Sequence, residues 1–333
     1  MIKNHKRILI ISKSTADIST EDVIDWLILN GNRPERLNGD SIEDFKSHGI
    51  TFSINDVGEL ISNTGMTGSF YSIWLRRWSD YSSLIETKRS FDNSVSADLV
   101  AHIISQLTRD LSVIENFILS NIRCVKFLGS DNKKHGNKLN NLLLAKKHNL
   151  EIPEFILTTE KTSLNKFFEK YNKKIILKDL SITFNYDLGS NLYTTYTELI
   201  TEEDISNFPD KFYLSFFQEY IEKEYEIRCF ILETKVYSMA IFSQIDDKTK
   251  VDCRKYNFQN PNRTVPYSLP LVIEKQLINL FSDLKLLSGS VDLIKGLDKK
   301  YYFLEINSDG QFGMVAECCN YNINYEIAQF LCS

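Results

Sequence analysis

The feature that most narrows the fold is a pair of apolar segments near the carboxyl end, both carrying oxygen-bearing side chains. They are Ser290-Val291-Asp292-Leu293-Ile294 and Tyr302-Phe303-Leu304-Glu305-Ile306-Asn307, joined by a short turn at residues 295–300. Successive side chains of a strand alternate between faces. Glu305 and Asn307 therefore share one face, and Leu304 and Ile306 take the other. The short connection brings Asp292 across from the first pair. Three oxygen donors then converge between two apolar strands, a hard-ligand set suited to Mg2+ bound together with substrate phosphates. An exposed strand face with ordinary acids is the competing reading, but it gives no reason for an amide to alternate with a carboxylate.

The rest of the chain reads as alternating strands and helices, an α/β pattern. Residues 8–11 form a β-branched apolar run of the kind a buried parallel strand shows. Ser19 is placed to cap a helix that carries Val23, Trp26, Leu27 and Asn30 on one face and stops at Gly31. Residues 72–78 are strand-like. Leu99, Ile103, Leu107, Leu111, Ile114 and Ile118 recur at three or four, which predicts a long amphipathic helix capped by Ser94 or Ser96. A second helix is expected over 133–149 with Leu139, Leu142 and Leu143 inward. Strands follow at 155–157 and 175–178 around a helix at 162–171, then three more at 212–221, 225–232 and 235–242. Helices at 271–287 and 321–332 flank the hairpin. The expected divisions are 1–125, 126–210 and 211–333.

Composition excludes several classes. A chain of 333 residues with 43% hydrophobic and 12% aromatic residues can bury a sizeable core. A net charge of −5 argues against general nucleic-acid binding. No apolar run approaches the ~20 residues a membrane span needs. The basic-then-apolar start is too short for a signal peptide and reads as a strand. The six cysteines form no C-x-x-C pair and fit reduced core thiols in a cytoplasmic protein. Five scattered histidines make a zinc hydrolase a poor fit.

Two lysines and one hairpin complete the chemistry. Lys178 ends an apolar strand, where an ammonium can reach into a cleft as a point charge for phosphate. Lys138 opens a helix after Gly136-Asn137. Taken singly, each reads as a surface lysine. The segment Phe216-Phe217-Gln218-Glu219-Tyr220-Ile221-Glu222-Lys223-Glu224-Tyr225-Glu226-Ile227-Arg228 is by itself a hairpin with charges at its bend.

In order along the chain these residues give lysine, lysine, Gln-Glu-x-Ile, Glu-x-Arg, Asp and Glu-x-Asn. From about residue 125 onward, that order resembles the glutamate-ligase-like ATP-grasp enzymes. The resemblance implies an ATP-grasp fold with an N-terminal Rossmann-like pre-ATP-grasp domain, a central lid subdomain and a C-terminal mixed-sheet domain. It also implies site roles. Lys138 and Lys178 would hold the phosphates of ATP. Glu219, with the main chain of Tyr220 and Ile221, would meet the adenine, and Glu226 the ribose. Asp292, Glu305 and Asn307 would bind Mg2+, two ions in all. Either Arg228 or Arg254 would steady the transferred phosphoryl group.

Over nearly the whole chain a narrower similarity holds, to the maturases of graspetides, the microviridin-like cross-linked peptides, nearest their grasp-with-spasm subgroup. It rests on Asp17-Ile18-Ser19-Thr20, Trp74-Leu75-Arg76-Arg77, Asp252-Cys253-Arg254-Lys255-Tyr256-Asn257, Asn262-Arg263-Thr264-Val265-Pro266-Tyr267 and the tail Glu305-Ile306-Asn307-Ser308-Asp309-Gly310-Gln311-Phe312. It implies a ligase that activates side-chain carboxylates of a ribosomally made precursor peptide, with leader and acidic, hydroxyl-rich core, and closes them onto Ser, Thr or Lys side chains. A homodimer is the family expectation. A ligase that adds an amino acid to a carboxylate would share every nucleotide and metal residue. Arg76 and Arg77 read equally as a grip on the acidic peptide or as solvated strand residues. The stretch 181–190 departs from the family pattern, because it holds one glycine where many ATP-grasp enzymes have a glycine-rich loop.

Overall fold

The computed structural model describes residues 6–14, 17–42, 51–58, 60–62, 68–78, 95–130, 137–180, 185–187 and 192–333. The chain divides into two compact units, Met1–Gly129 with Asn322–Ser333, and Ser130–Tyr321.

In the first unit, strands β1 (Ile8–Ser12), β2 (Glu35–Asn38), β5 (Ser69–Leu75) and β6 (Arg123–Gly129) pair in the order β2-β1-β5-β6, all parallel. A small hairpin of β3 (Phe52–Ile54) and β4 (Leu60–Ser62) stands apart from that sheet. All five residues of β1 are buried, as its unbroken apolar run requires. Helix α1 (Ile18–Leu29) buries Thr20, Val23 and Leu27, while Trp26 lies edge-on to Tyr325. Its cap is not Ser19, which lies inside the first turn. Asp17 precedes the helix, and its buried carboxylate accepts from Ser12 and, at 2.7 Å, from Thr20. Helix α2 (Ala97–Asn121) begins where its periodicity predicts, with Ser96 accepting from the Leu99 N–H at 3.2 Å. Ser94, the other expected cap, lies outside the described residues. The last helix, Ile323–Cys332, packs beside α1 in this same unit.

Among the described residues the second unit holds three sheets, the smallest an antiparallel pair of β9 (Asn185–Asp187) and β10 (Leu192–Thr194). Helices α3 (Lys138–Lys147) and α4 (Lys161–Lys170) precede strands β7 (Phe155–Glu160) and β8 (Ile175–Lys178) respectively. With β11 (Glu198–Leu199) and β12 (Lys211–Glu219), those strands make a sheet in the order β11-β8-β12-β7. One face carries Ile156, Ile175, Leu177 and Phe217 and packs with Leu164, Phe167 and Phe168 of α4. Strands β13 (Lys223–Leu232), β14 (Lys235–Phe242), β15 (Arg263–Tyr267), β16 (Ser288–Gly296) and β17 (Tyr301–Asn307) form an antiparallel sheet in the order β15-β14-β13-β16-β17. Its inner face carries Ile227, Cys229, Ile231, Val291, Leu293, Phe303 and Ile306. These pack against Leu142 and Ala145 of α3 and against Leu277, Leu280 and Phe281 of a helix at Leu271–Leu284. Leu143, expected inward, is 59% exposed, because the core stripe of α3 runs through Leu142 and Ala145. Further along, a helix at Gly313–Cys319 carries an exposed Cys318 and a buried Cys319, and no two of the described cysteines are bonded. Among the described residues no helix is long and apolar enough to cross a membrane.

Candidate active site

The outer face of the five-stranded sheet gathers the expected metal ligands. Asp292 lies directly across from Glu305, and Ser290 lies across from Asn307. One residue breaks the simple alternation. Leu293 pairs with Phe303, so Leu304 is an extra residue in β17 and forms a bulge. Phe303, not Leu304, therefore shares the inner face with Ile306, while Glu305 and Asn307 keep the outer one. The tail beyond is pinned. The Asn307 side-chain oxygen accepts from Asp309 N–H at 3.2 Å, its carbonyl accepts from Gly310 N–H at 3.1 Å, and Ser290 donates to the Gln311 carbonyl at 2.9 Å. Gly310 turns with φ +64°, a conformation that glycine adopts without strain.

Cations surround the two carboxylates. Arg228 lies opposite Asp292 in the β13–β16 register and donates from one Nη to both carboxylate oxygens at 2.9 Å. Lys138, the first residue of α3, reaches Glu305 at 3.2 Å and the Asp179 carbonyl at 3.2 Å. Its helix start is fixed by Asn137, whose side chain accepts from the Asn140 N–H at 3.1 Å. Burial pushes the Glu305 carboxyl upward, but the positive charges of Lys178, Lys138 and Arg254 together hold it below its ordinary range. Burial raises Asp292, and Glu305 and Glu226 add to the rise against the pull of Arg228. Lys138, Lys178, Arg228, Arg254, Asp292, Glu305 and Asn307 thus belong to one electrostatic site. Two carboxylates and an amide oxygen in this register fit Mg2+. Among the described residues no three His, Cys, Asp or Glu side chains group to hold a metal ion, so the third oxygen donor here is the Asn307 amide.

Arg254 is held from behind. The buried Asp252 accepts from the Arg254 guanidinium at 2.6 and 2.9 Å, from the Arg254 backbone N–H at 3.0 Å, and from Thr197 N–H at 3.0 Å. Burial opposes ionisation of Asp252, yet these donors pull it down to about 2. Asp252 is a residue whose supporting part the sequence reading left out. Its signal was the i, i+2 spacing to an arginine, which suits a local bidentate clamp.

Of the expected nucleotide residues, Glu219, Tyr220 and Ile221 lie at the end of β12 in the four-stranded sheet, and Glu226 lies on β13 of the five-stranded one. Glu219 ends β12, and burial raises its carboxyl above the usual range. Tyr220 donates its N–H to the Lys174 carbonyl at 3.0 Å. Ile221 is buried. Glu226 shares the outer face with Arg228 and already accepts from Lys223 at 2.7 Å and Ser243 at 2.8 Å. Of the stretch 181–190, residues 181–184 and 188–190 lie outside the described residues. Arg76 and Arg77 belong to the first unit. Arg76 is 2% exposed, with Asp17 at 3.9 Å and Ser19 at 3.5 Å. It is therefore neither a solvated strand arginine nor an open one, since a carboxylate of its own unit stands beside it. Arg77 is half-buried, and its charge also bears on Asp17.

Residues 135–331, more than half of the chain, match the RimK-like ATP-grasp domain. The chain belongs to the RimK-like ATP-grasp family. No curated protein matches it. Among solved structures, a RiPP-associated ATP-grasp ligase of Chryseobacterium gregarium, in complex with ADP and a leader and core peptide, superposes with a TM-score of 0.82. The two are 22% identical, over 98% of this chain and 96% of that one. The macrocyclase MdnC of Microcystis aeruginosa, bound with precursor peptide MdnA, is 22% identical over 98% and 99% of the two chains, with a TM-score of 0.77. D-alanyl-alanine synthetase A of Vibrio cholerae is more distant, with 13% identity over 98% of each chain and a TM-score of 0.55. The α/β architecture is thus the ATP-grasp fold, as the residue order implied.

Proposed function

We propose that this protein is an ATP- and Mg2+-dependent ligase that cross-links a ribosomally made precursor peptide. The observation that carries this reading is Asp292 facing Glu305 across two strands, with Asn307 two register pairs away on the same face and Lys138, Lys178, Arg228 and Arg254 around them. Bound Mg2+, two ions by family likeness, would neutralise charge on the ATP phosphates. Lys138 and Lys178 fix the terminal phosphates and offset the charge that develops on transfer. Glu219, the Tyr220 and Ile221 main chain and Glu226 hold the nucleoside. Arg254, braced by Asp252, faces the transferring phosphoryl group; Arg228, committed to Asp292, orients that carboxylate.

The chemistry follows in two balanced steps. A side-chain carboxylate of the peptide attacks the γ-phosphorus, and the bond to the β-phosphate oxygen breaks, giving an acyl phosphate and ADP. A Ser or Thr hydroxyl, or a Lys amine, then attacks the acyl carbonyl. Its proton is lost and phosphate leaves, giving an ester or an amide. No enzyme nucleophile takes part. The precursor would dock by a leader while its acidic, hydroxyl-rich core enters the site, with Arg77 as a proposed grip on that core. The relatives bound to leader, core and precursor peptides support this choice of substrate. A homodimer working in the cytoplasm, built of three parts at about 1–125, 126–210 and 211–333, completes the proposal.

Mass spectrometry separates this reading from its rival. Incubated with ATP, Mg2+, a mixture of free amino acids and an acidic, Thr-rich peptide, the enzyme should release ADP while the peptide loses one water per cross-link. A peptide that instead gains the mass of an added amino acid would identify an amino-acid-adding ATP-grasp ligase.

A further inference from the structure

Residues 195–198 run from β10 into β11, and each of them is tied down. The Thr195 hydroxyl donates to the Asp179 carboxylate. The Lys255 ammonium lies over the Tyr196 ring, 5.5 Å from its centre. The buried Thr197 donates its N–H to Asp252 at 3.0 Å. The Glu198 carboxylate accepts from Lys255 at 2.6 Å.

These ties lead to two places. Asp179 follows Lys178, its carbonyl accepts from Lys138, and Glu198 pairs with Leu177 in the register of β11 with β8. On that side the segment is bound to the strand that ends in Lys178. Asp252 and Lys255 instead flank Arg254, in the connection between β14 and β15 of the five-stranded sheet. One Asp252 oxygen accepts from both Thr197 N–H and the Arg254 guanidinium. Residues 195–198 are therefore a strap between the two larger sheets, and the cations at its two ends both bear on Glu305. The Arg254 side chain is 50% exposed, so its own packing does not fix it. A long side chain on a loop keeps one place only if the loop does, and reactive geometry tolerates little displacement.

We propose that this strap sets the position of Arg254 relative to Lys178, and that Lys255 is the positioning residue that fastens it. The inference rests on the ligase reading above and adds to it a residue that acts through Arg254 and not on the substrate. A partly exposed ion pair and a ring contact add little to global stability, so their loss shows in the rate and not in the fold.

Two measurements on the full chain test it: the rate of ADP release with ATP, Mg2+ and an acidic, Thr-rich peptide, and calorimetry with Mg·ADP. Lys255→Met should lower kcat about fivefold, the most that contacts of this kind supply. Its Mg·ADP affinity and melting temperature should stay at the wild-type values. Lys255→Arg, which keeps the charge for Glu198 and Tyr196, should keep the rate. Glu198→Gln should be slowed as well, and the double variant should be no slower than Lys255→Met, because both changes cut one tie. An unchanged kcat in Lys255→Met overturns the proposal while leaving the ligase reading intact. A slow Lys255→Met beside a Glu198→Gln at full rate would put Lys255 on the substrate itself and overturns it equally. A fall in kcat matched by losses of Mg·ADP affinity and melting temperature makes the strap purely structural, which also overturns it. If the wild type releases no ADP with the peptide, the ligase reading itself fails, and this inference fails with it.

Discussion

Removing the Glu305 carboxylate takes away the group that Lys138 touches and that Lys178 and Arg254 hold ionised. Glu305→Ala should lower peptide-dependent ADP release by on the order of 10³-fold, the scale on which a preorganised charge in a phosphoryl-transfer site acts. Circular dichroism should show the fold retained, because Glu305 sits on the outer face while the core packs on Phe303 and Ile306. Full activity in that variant would remove Glu305 from the metal site. Asp252 makes a different prediction. Its carboxyl is depressed to about 2 by Arg254 and backbone donors, so its stabilisation is present above the ordinary carboxylate range and lost as pH falls from about 4 to 2. Asp252→Asn should cost about 2 kcal/mol at pH 7 and flatten the acid limb of the stability curve over that window, read from urea midpoints at several pH values. Asp292, Glu305 and Asn307 could be found in the sequence because strand alternation has a fixed period. The bulge at Leu304 could not, because an extra residue in one strand leaves no trace in composition. The burial of Arg76 was equally hidden, since its partner Asp17 comes from a different element.

Long periodic elements were legible and short, polar ones were not. Helix α2 and strands β8, β13 and β14 follow their apolar periodicity closely. The helix at Glu202–Asn207 instead depends on a capping box between Thr201 and Asp204 and carries one buried residue, Ile205. The helix at Gly313–Cys319 and strand β15, with Pro266 inside it, also lack a clear period. Their place is set by tertiary packing. Among the readable elements, α3 matters most for the site because its first residue is Lys138. Asn137→Ala removes the cap at its start and should cost ~1 kcal/mol of stability. Affinity for Mg·ADP should fall several-fold with it, as Lys138 loses its fixed origin, and Asn137→Ser should restore both. Unchanged ADP affinity in Asn137→Ala, measured by calorimetry, would separate Lys138 from the nucleotide.

At the scale of the whole molecule, the residues proposed to hold nucleotide and metal, from Lys138 to Asn307, belong to one compact unit, Ser130–Tyr321, while Arg76 and Arg77 belong to the other. That division could not be read from strand and helix signals alone, because the last helix returns to pack with α1. The reaction requires charge to be gathered where the sheet presents its outer face, in a chain whose overall charge is a modest −5. Its central element is the convergence of Asp292, Glu305 and Asn307. The most direct test is a crystal structure of the protein grown with Mg2+ and ADP. It should show the cation about 2.1 Å from oxygens of those three side chains and bridged to the diphosphate. A cation bound elsewhere, or a diphosphate lying away from Lys138 and Lys178, would contradict the account.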